Sequence, residues 1–241
     1  LFHRIDDSLP EDPITCSRKT FAAFCDFYRR FFVVVSLSEL LRRLRCGEDI
    51  SRHLVITFDD GYEDNARVAA HELRGRDLPA CFFVATGFVG TDRQAPWDEE
   101  SGVRSRWMTW SDVRRLAAEG FEVGAHTINH VDLGVVSDEV AEQEIGGSRD
   151  RLEQELSTRV QLFSYPFGRA ENITAAHRDR VRRAGFLCCA SAFGGVVSPS
   201  SNPFELRRIP ISRWFKSPYQ FGVELMLLRK GSRRGAVRGR S

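Results

Sequence analysis

The sequence predicts an α/β chain in which parallel strands alternate with crossover helices and close as a barrel of about seven strands. Three observations predict this. Short apolar runs recur along the whole body, and stretches with helical periodicity separate them. About seven such units follow one another, which favours a barrel over an open sheet. The three most unusual segments each fall where an apolar run ends and a turn begins, which is where such barrels carry their chemistry.

The elements follow in order. Leu1–His3 reads as a strand already cut into, so an upstream segment is expected. Ser17 can cap a helix with Phe21, Phe24 and Tyr28 on one face. Phe32–Val35 is the next strand, and Ser38 can cap a helix over Glu39–Leu44. Strand Leu54–Phe58 leads into a helix over Glu63–Arg74, and Ala80–Val84 is the following strand. Ser111 can cap Asp112–Glu119, which closes at Gly120. Strand Phe121–Ala125 precedes the longest helix, Ser137–Leu156, whose apolar positions are Val140, Ile145, Leu152 and Leu156. Strand Gln161–Ser164, a helix over Asn172–Ala184 closing at Gly185, and strands Phe186–Ser191 and Leu206–Ile211 complete the series.

No internal repeat and no Pro/Gly linker divides the body, so residues 1–228 read as one barrel domain. The remainder, 229–241, is a Gly/Ser/Arg-rich basic tail with little to bury, expected to be solvated and disordered. The 42% hydrophobic and 11% aromatic content of the 241 residues suffices for a sizeable core. The formal charge of +2 hides an asymmetry: Arg229, Lys230, Arg233, Arg234, Arg238 and Arg240 carry +6, and the body without them is −4. No nucleic-acid-binding face is expected on such a body. No apolar run is long enough to span a membrane. The six cysteines, Cys16, Cys25, Cys46, Cys81, Cys188 and Cys189, form no Cys-x-x-Cys pair and read as buried or free thiols. That usage favours a cytoplasmic setting; a missing N-terminal segment would instead permit export or membrane association.

Two segments about 65 residues apart carry the chemistry: Thr57-Phe58-Asp59-Asp60-Gly61 and His126-Thr127-Ile128-Asn129-His130. On a regular strand Asp59 and Asp60 would face opposite sides, but at a strand end Gly61 lets the backbone turn both into one pocket. Two adjacent carboxylates repel, so one needs a cation. On a helical turn, His126 and His130 share one face. A carboxylate and two imidazoles make a three-ligand site for a divalent metal with a position left open for water, and the spare carboxylate can act as a base. Each segment alone has a plain reading, a solvated Asp-Gly turn or two ordinary histidines; together at neighbouring strand ends they read as a metal-dependent hydrolase.

These residues resemble the polysaccharide deacetylase family, also called the NodB-homology or carbohydrate esterase 4 type. Thr57–Gly61 matches the family's T-F-D-D-G motif, His126–His130 its H-[ST]-x-x-H motif, and Phe163-Ser164-Tyr165-Pro166-Phe167-Gly168 is similar to its third motif. The opening Phe2-His3-Arg4-Ile5 also looks like the start of many members. The resemblance covers roughly residues 1–215 and implies a distorted (β/α), TIM-like barrel that removes N-acetyl groups from an N-acetylated oligo- or polysaccharide or glycolipid precursor. It implies that Asp60, His126 and His130 hold one divalent ion, most commonly Zn2+, and that Asp59 is the general base. The Phe167 backbone N–H would support the oxyanion, and Tyr165, Pro166 and Phe167 would wall the sugar pocket. Trp107 and Trp110 are candidates for stacking on a sugar face, or for core packing.

Two departures stand out. The third motif usually carries an arginine where this chain has Ser164; that arginine braces the catalytic Asp, and Arg207 and Arg208 are candidates to replace it. The usual late L-x-H motif is missing, so His3 is the candidate acid that protonates the leaving amine, beside a plain structural role. His177 reads as exposed on a charged helix, and His53 and His71 have no supporting context. An O-acetyl esterase, a deacylase of non-sugar amides and a non-catalytic carbohydrate-binding relative are the alternatives that the same residues leave open.

Overall fold

The computed structural model describes residues 1–9, 12–170, 173–212, 214–215 and 217–237. Strands β1 (Arg4–Ile5) and β2 (Thr15–Cys16) pair in parallel and lead into α1 (Arg18–Phe31), which Ser17 caps as its spacing predicts. β3 (Val33–Val34) is followed by α2 (Leu37–Cys46) and β4 (His53–Leu54). The remaining elements are β5 (Thr57–Phe58), a π-helical turn at Asn65–Ala69 running into α3 (Ala70–Arg74), β6 (Cys81–Val84), α4 (Pro96–Glu100), α5 (Trp110–Ala118), β7 (Glu122–Ala125), α6 (Asp138–Leu156), β8 (Leu162–Ser164), α7 (Ala175–Arg183), β9 (Cys188–Ala190), a 3-10 turn at Pro203–Glu205 and α8 (Pro218–Val237).

The fold is α/β, built on a five-stranded parallel half-barrel of order β5-β6-β7-β8-β9. Strand neighbours follow chain order because each crossover carries a helix back over the same face. Alternate strand residues face two layers. Phe58, Phe82, Val84, Val123, Ala125, Phe163 and Cys189 join the main core with Phe21 and Phe24 of α1, Val113 and Leu116 of α5 and Ile145 and Leu152 of α6. Cys81, Phe83, Leu162, Cys188 and Ala190 face the other way, onto Leu37 and Leu40 of α2 and Leu206. Cys188 and Cys189 thus lie on opposite faces, and all six cysteines are free thiols.

The strand count differs from the seven expected. The apolar run Leu54–Phe58 is two strands, since Leu54 pairs with Val34 in a separate two-stranded sheet while Thr57 pairs with Cys81 in the main one. The chain crosses from one sheet to the other at Val55–Ile56, so Phe32–Val35 never reaches the barrel sheet. Leu1–His3 and Leu206–Ile211 flank the main sheet only through single parallel bridges, Phe2 to Phe58 and Leu206 to Ala190. Pro210 has no N–H to donate and interrupts the second of these segments; Ile211 N–H then donates to Leu1 O at 2.8 Å.

Two caps also move. Ser36, not Ser38, accepts the Glu39 N–H, and Thr109, not Ser111, forms a capping box with Asp112. Thr174 caps α7; Asn172, expected to begin that helix, lies outside the described residues. The backbone of α8 continues past residue 228 through Val237, into the basic stretch 229–241 expected to be a disordered tail, whose residues 238–241 lie outside the described residues. No helix among the described residues is long and apolar enough to cross a membrane.

Candidate active site

Three parallel strands of the main sheet, β5, β7 and β8, deliver the site. β5 ends at Phe58 and releases Asp59 and Asp60; β7 ends at Ala125 and releases His126, whose N–H still bonds to Val84 O at 3.1 Å. β8 ends at Ser164 and releases Tyr165 and Phe167. The turn after β5 is tight. Asp60 has φ +76° and Gly61 φ +90°, and a Cβ on Gly61 would lie 3.0 Å from the Val84 side chain. Thr127, His130 and Phe167 also have positive φ, at 62°, 54° and 60°. Left-handed backbone at non-glycine residues costs energy and gathers here, around one cavity.

His126 and His130 do not lie on a helical turn, contrary to the spacing argument. They bound an irregular loop, and the two left-handed residues bring the rings to 4.9 Å between centroids. Glu144 of α6 holds that loop: its carboxylate accepts the N–H groups of Ile128 and Asn129 at 2.8 Å each and the Asn129 side-chain amide at 2.7 Å.

Asp60 Oδ1 lies 3.3 Å from His126 Nε2 and 3.3 Å from His130 Nε2. It is buried and has no hydrogen-bond partner among the described residues. His126 Nδ1 lies 2.8 Å from Ser164 O, an atom that can only accept, so Nδ1 carries the hydrogen. A neutral His126 therefore turns the lone pair of Nε2 toward a carboxylate oxygen, and only positive charge between them makes that arrangement favourable. The donor set of one carboxylate and two imidazoles, with all three ligand atoms within 4.8 Å of one another, fits a divalent ion. Burial opposes ionisation of Asp60, but the two imidazoles outweigh it and hold the carboxyl well below its usual range. Burial also opposes charge on His126, and the carboxylates of Asp59 and Asp60 outweigh it, so its pKa rises.

Asp59 is gripped by Arg208. The guanidinium donates to Oδ1 and Oδ2 at 2.7 Å each, and Arg208 Nη2 also donates to Ser164 Oγ at 2.7 Å. Ser164 Oγ in turn donates to Asp59 Oδ2 at 3.1 Å. Burial pushes the Asp59 carboxyl up, Arg208 and then His126 pull it further down, and the net shift is downward. Of the two candidate braces, Arg208 is the one that reaches; Arg207 instead packs over Phe193.

A cavity of about 320 Å3 lies over these groups, lined by His3, Asp59, Asp60, His126, His130, Trp97, Tyr165 and Phe167 among others. His3 is carried there by the Phe2–Phe58 bridge and by Asn65, whose amide donates to His3 O at 2.6 Å. Its ring has no hydrogen-bond partner among the described residues, and burial first, against the pull of Asp60 and Asp59, lowers its pKa. The Phe167 ring packs on His130 at 4.9 Å, and its backbone N–H meets no acceptor among the described residues. Pro166 is buried in the turn and does not line the cavity.

The chain belongs to the polysaccharide deacetylase family. The family model described as "Polysaccharide deacetylase" matches residues 47–188, which span both acidic and histidine segments. The chain is 24% identical over 159 residues to YxkH of Bacillus subtilis (strain 168), a protein named for the same family, covering 66% of this chain and 51% of YxkH; it thus spans about half the length of that curated relative. Among solved structures, the deacetylase PplD of Streptococcus pyogenes superimposes with a TM-score of 0.77 at 23% identity, covering 94% of each chain. IcaB from Ammonifex degensii gives 0.73 at 23% identity over 88% of this chain and 90% of its own. At these identities the two structures speak for the fold.

Two expected sugar contacts are not at the cavity. Trp107 is buried in a satellite core, stacked on Tyr62 at 4.7 Å with its indole N–H donating to Arg93 O at 2.6 Å. Trp110 packs under the Arg151 guanidinium. The tryptophan that does line the cavity is Trp97, 4.3 Å from the His130 ring with its indole N–H donating to Tyr62 OH at 2.7 Å. Beside it lies a buried charge cluster that sequence reasoning passed over. Arg4 is 1% exposed and pairs with Asp12 and with Asp98, the latter at 2.7 Å. The available signal was Ala95-Pro96-Trp97-Asp98, where a proline at the first helical position fixes the start of a short helix.

Proposed function

We propose that this chain is a metal-dependent hydrolase that removes N-acetyl groups from an N-acetylated glycan or glycolipid precursor, working at the mouth of a distorted barrel. The observation that carries the reading is the buried, unpartnered Asp60 Oδ1 facing two imidazole nitrogens at 3.3 Å, with a second carboxylate next to it. Asp60, His126 and His130 would hold the ion, for which zinc is the first choice given two nitrogen ligands and one oxygen. When bound, such an ion supplies positive charge that acidifies water and polarises an acyl carbonyl.

The chain's own residues do the rest. Arg208 fixes the Asp59 carboxylate, which takes a proton from the attacking water. The Phe167 N–H donates to the oxygen that gains charge as the carbonyl carbon becomes tetrahedral. His3 gives a proton to the amine nitrogen as the C–N bond breaks, leaving acetate and a free amine. Phe167 and Trp97 supply ring surface for the sugar, while the Tyr165 ring is buried against Phe163 behind them. PplD, which shares the fold, was solved in complex with acetate, the acid such a reaction releases.

The test is Asp59→Asn. The amide keeps the size of the side chain and leaves Asp60, His126 and His130 intact. Metal content should be unchanged, and acetate release from N-acetylated oligosaccharides should fall by roughly two to four orders of magnitude. Loss of the metal would mean that the two carboxylates have exchanged roles, and unchanged turnover would favour a binding protein.

A further inference from the structure

Helix α8 exposes an apolar stripe. Tyr219, Val223, Met226 and Leu227 are between 51% and 65% exposed, while Phe221 between them is buried. Their spacing of four, three and one places all four on one face of the helix. The opposite face is occupied by the fold: Phe221 packs edge-on against Phe24 and Tyr28 of α1, at 5.9 and 5.7 Å between centroids. Glu224, three residues before Leu227, is half-buried at the edge of the stripe.

The patch does not stop at the helix. Tyr219 meets Phe27 at 5.4 Å and Phe31 at 6.4 Å, and Phe31 at the end of α1 is itself 38% exposed. Exposed Val33 follows it in the chain, and exposed Trp214 precedes α8. Scattered exposed apolar residues are ordinary; a contiguous set with aromatic rings is a contact surface.

Charge identifies the occupant. The helix backbone runs on through Val237, and the sequence places Arg229, Lys230, Arg233 and Arg234 directly after the apolar turns, with Arg238 and Arg240 beyond. Exposed Arg29 and Arg30 lie beside the patch in the last turn of α1, and the Arg30 guanidinium sits over the Phe31 ring. The rest of the chain is net −4, so the positive charge is concentrated where the apolar residues are exposed. An apolar helical face continued by a run of cations is the chemistry of an interfacial helix on an anionic bilayer.

We propose that α8 docks this protein on anionic lipid surfaces, with Tyr219, Val223, Met226 and Leu227 entering the acyl boundary and the following cations meeting lipid headgroups. The inference does not depend on the hydrolytic reading of the active site.

The experiment is vesicle co-sedimentation of the whole chain with phosphatidylcholine vesicles and with vesicles containing 30% phosphatidylglycerol (about 30% anionic lipid). Binding is expected to the anionic vesicles only, weakening as salt rises. Val223→Glu combined with Leu227→Glu should abolish it. Replacing Arg229, Lys230, Arg233 and Arg234 with glutamine should weaken it roughly 10²- to 10³-fold, since each cation near such a surface contributes about fivefold. Circular dichroism and sedimentation velocity check that both variants keep the fold. Binding to neither vesicle, equal binding to both, or binding untouched by both variants overturns the proposal. A wild-type chain that sediments as a dimer and becomes monomeric in Val223→Glu/Leu227→Glu, without vesicle binding, also overturns it, because the face then belongs to a second copy.

Discussion

Arg208→Met should be the most damaging single change outside the proposed metal ligands. Arg208 makes two charge-assisted bonds to Asp59 at 2.7 Å, and further bonds to Ser164 Oγ at 2.7 Å, Thr57 Oγ1 at 3.2 Å and Ser191 O at 2.8 Å. The side chains are 9% and 3% exposed, so water screens the pair little. Methionine keeps the aliphatic stem beneath the guanidinium, which lies over Phe83. What remains is a buried carboxylate whose only side-chain donor among the described residues is Ser164. Removing one partner of a buried pair costs about 3–5 kcal/mol, mostly the penalty of stranding the other charge. Urea unfolding with a chelator present measures the loss without a contribution from ion binding. Asp59→Asn in the same background removes the stranded charge, so the double variant should recover about half of the loss or more. Turnover should fall at least roughly 10²-fold, because the proposed base loses its orientation. A loss below about 1 kcal/mol, or simple additivity with Asp59→Asn, would refute the brace.

Two further outcomes follow from the geometry. His3→Ala should retain metal and fold but lose turnover on N-acetyl sugars by roughly two orders of magnitude or more, while an activated ester, whose leaving group needs no proton, loses far less; equal losses on both would assign His3 a structural role. Asp64, half-buried and accepting from Ile5 N–H, is pushed by burial from 3.8 up to about 7. Between those values the folded chain holds a proton that the unfolded chain has released, so Asp64 costs stability as pH rises from 4 to 7, by at most about 4 kcal/mol. Unfolding curves of Asp64→Asn and the wild type should therefore diverge with pH in that window, and parallel curves would contradict the assignment.

The candidate ligand set was legible because it rests on side-chain chemistry at strand ends, and strand ends are visible as apolar runs that stop. Asp60, His126 and His130 meet as read, although by a loop with left-handed residues and not by a helical turn. Sequence spacing gives i,i+4 but carries no record of the Glu144 bonds that hold that loop. Strand partners were less legible. An apolar run reports burial and not which backbone it bonds to, so Leu54–Phe58 read as one strand where the chain changes sheets between Leu54 and Thr57. The displaced caps had a readable signal. Ser36 precedes Glu39 by three residues and Thr109 precedes Asp112 by three, the spacing of a capping box, whereas Ser38 and Ser111 lack it. Trp107 and Trp97 could not be told apart by composition, since each is a tryptophan in a polar stretch of sequence. The difference is that the Trp107 indole bonds inward to Arg93 O, while Trp97 stands beside His130.

The most direct measurement of the central claim is acetate release from a panel of N-acetylated oligosaccharides by the purified chain, with metal content determined on the same sample. About one divalent ion per chain is expected. Acetate release should be abolished by a chelator and restored by adding back zinc or another divalent transition metal, and neither ion nor activity should survive in His126→Ala. Full activity in protein shown to be free of metal would contradict that claim.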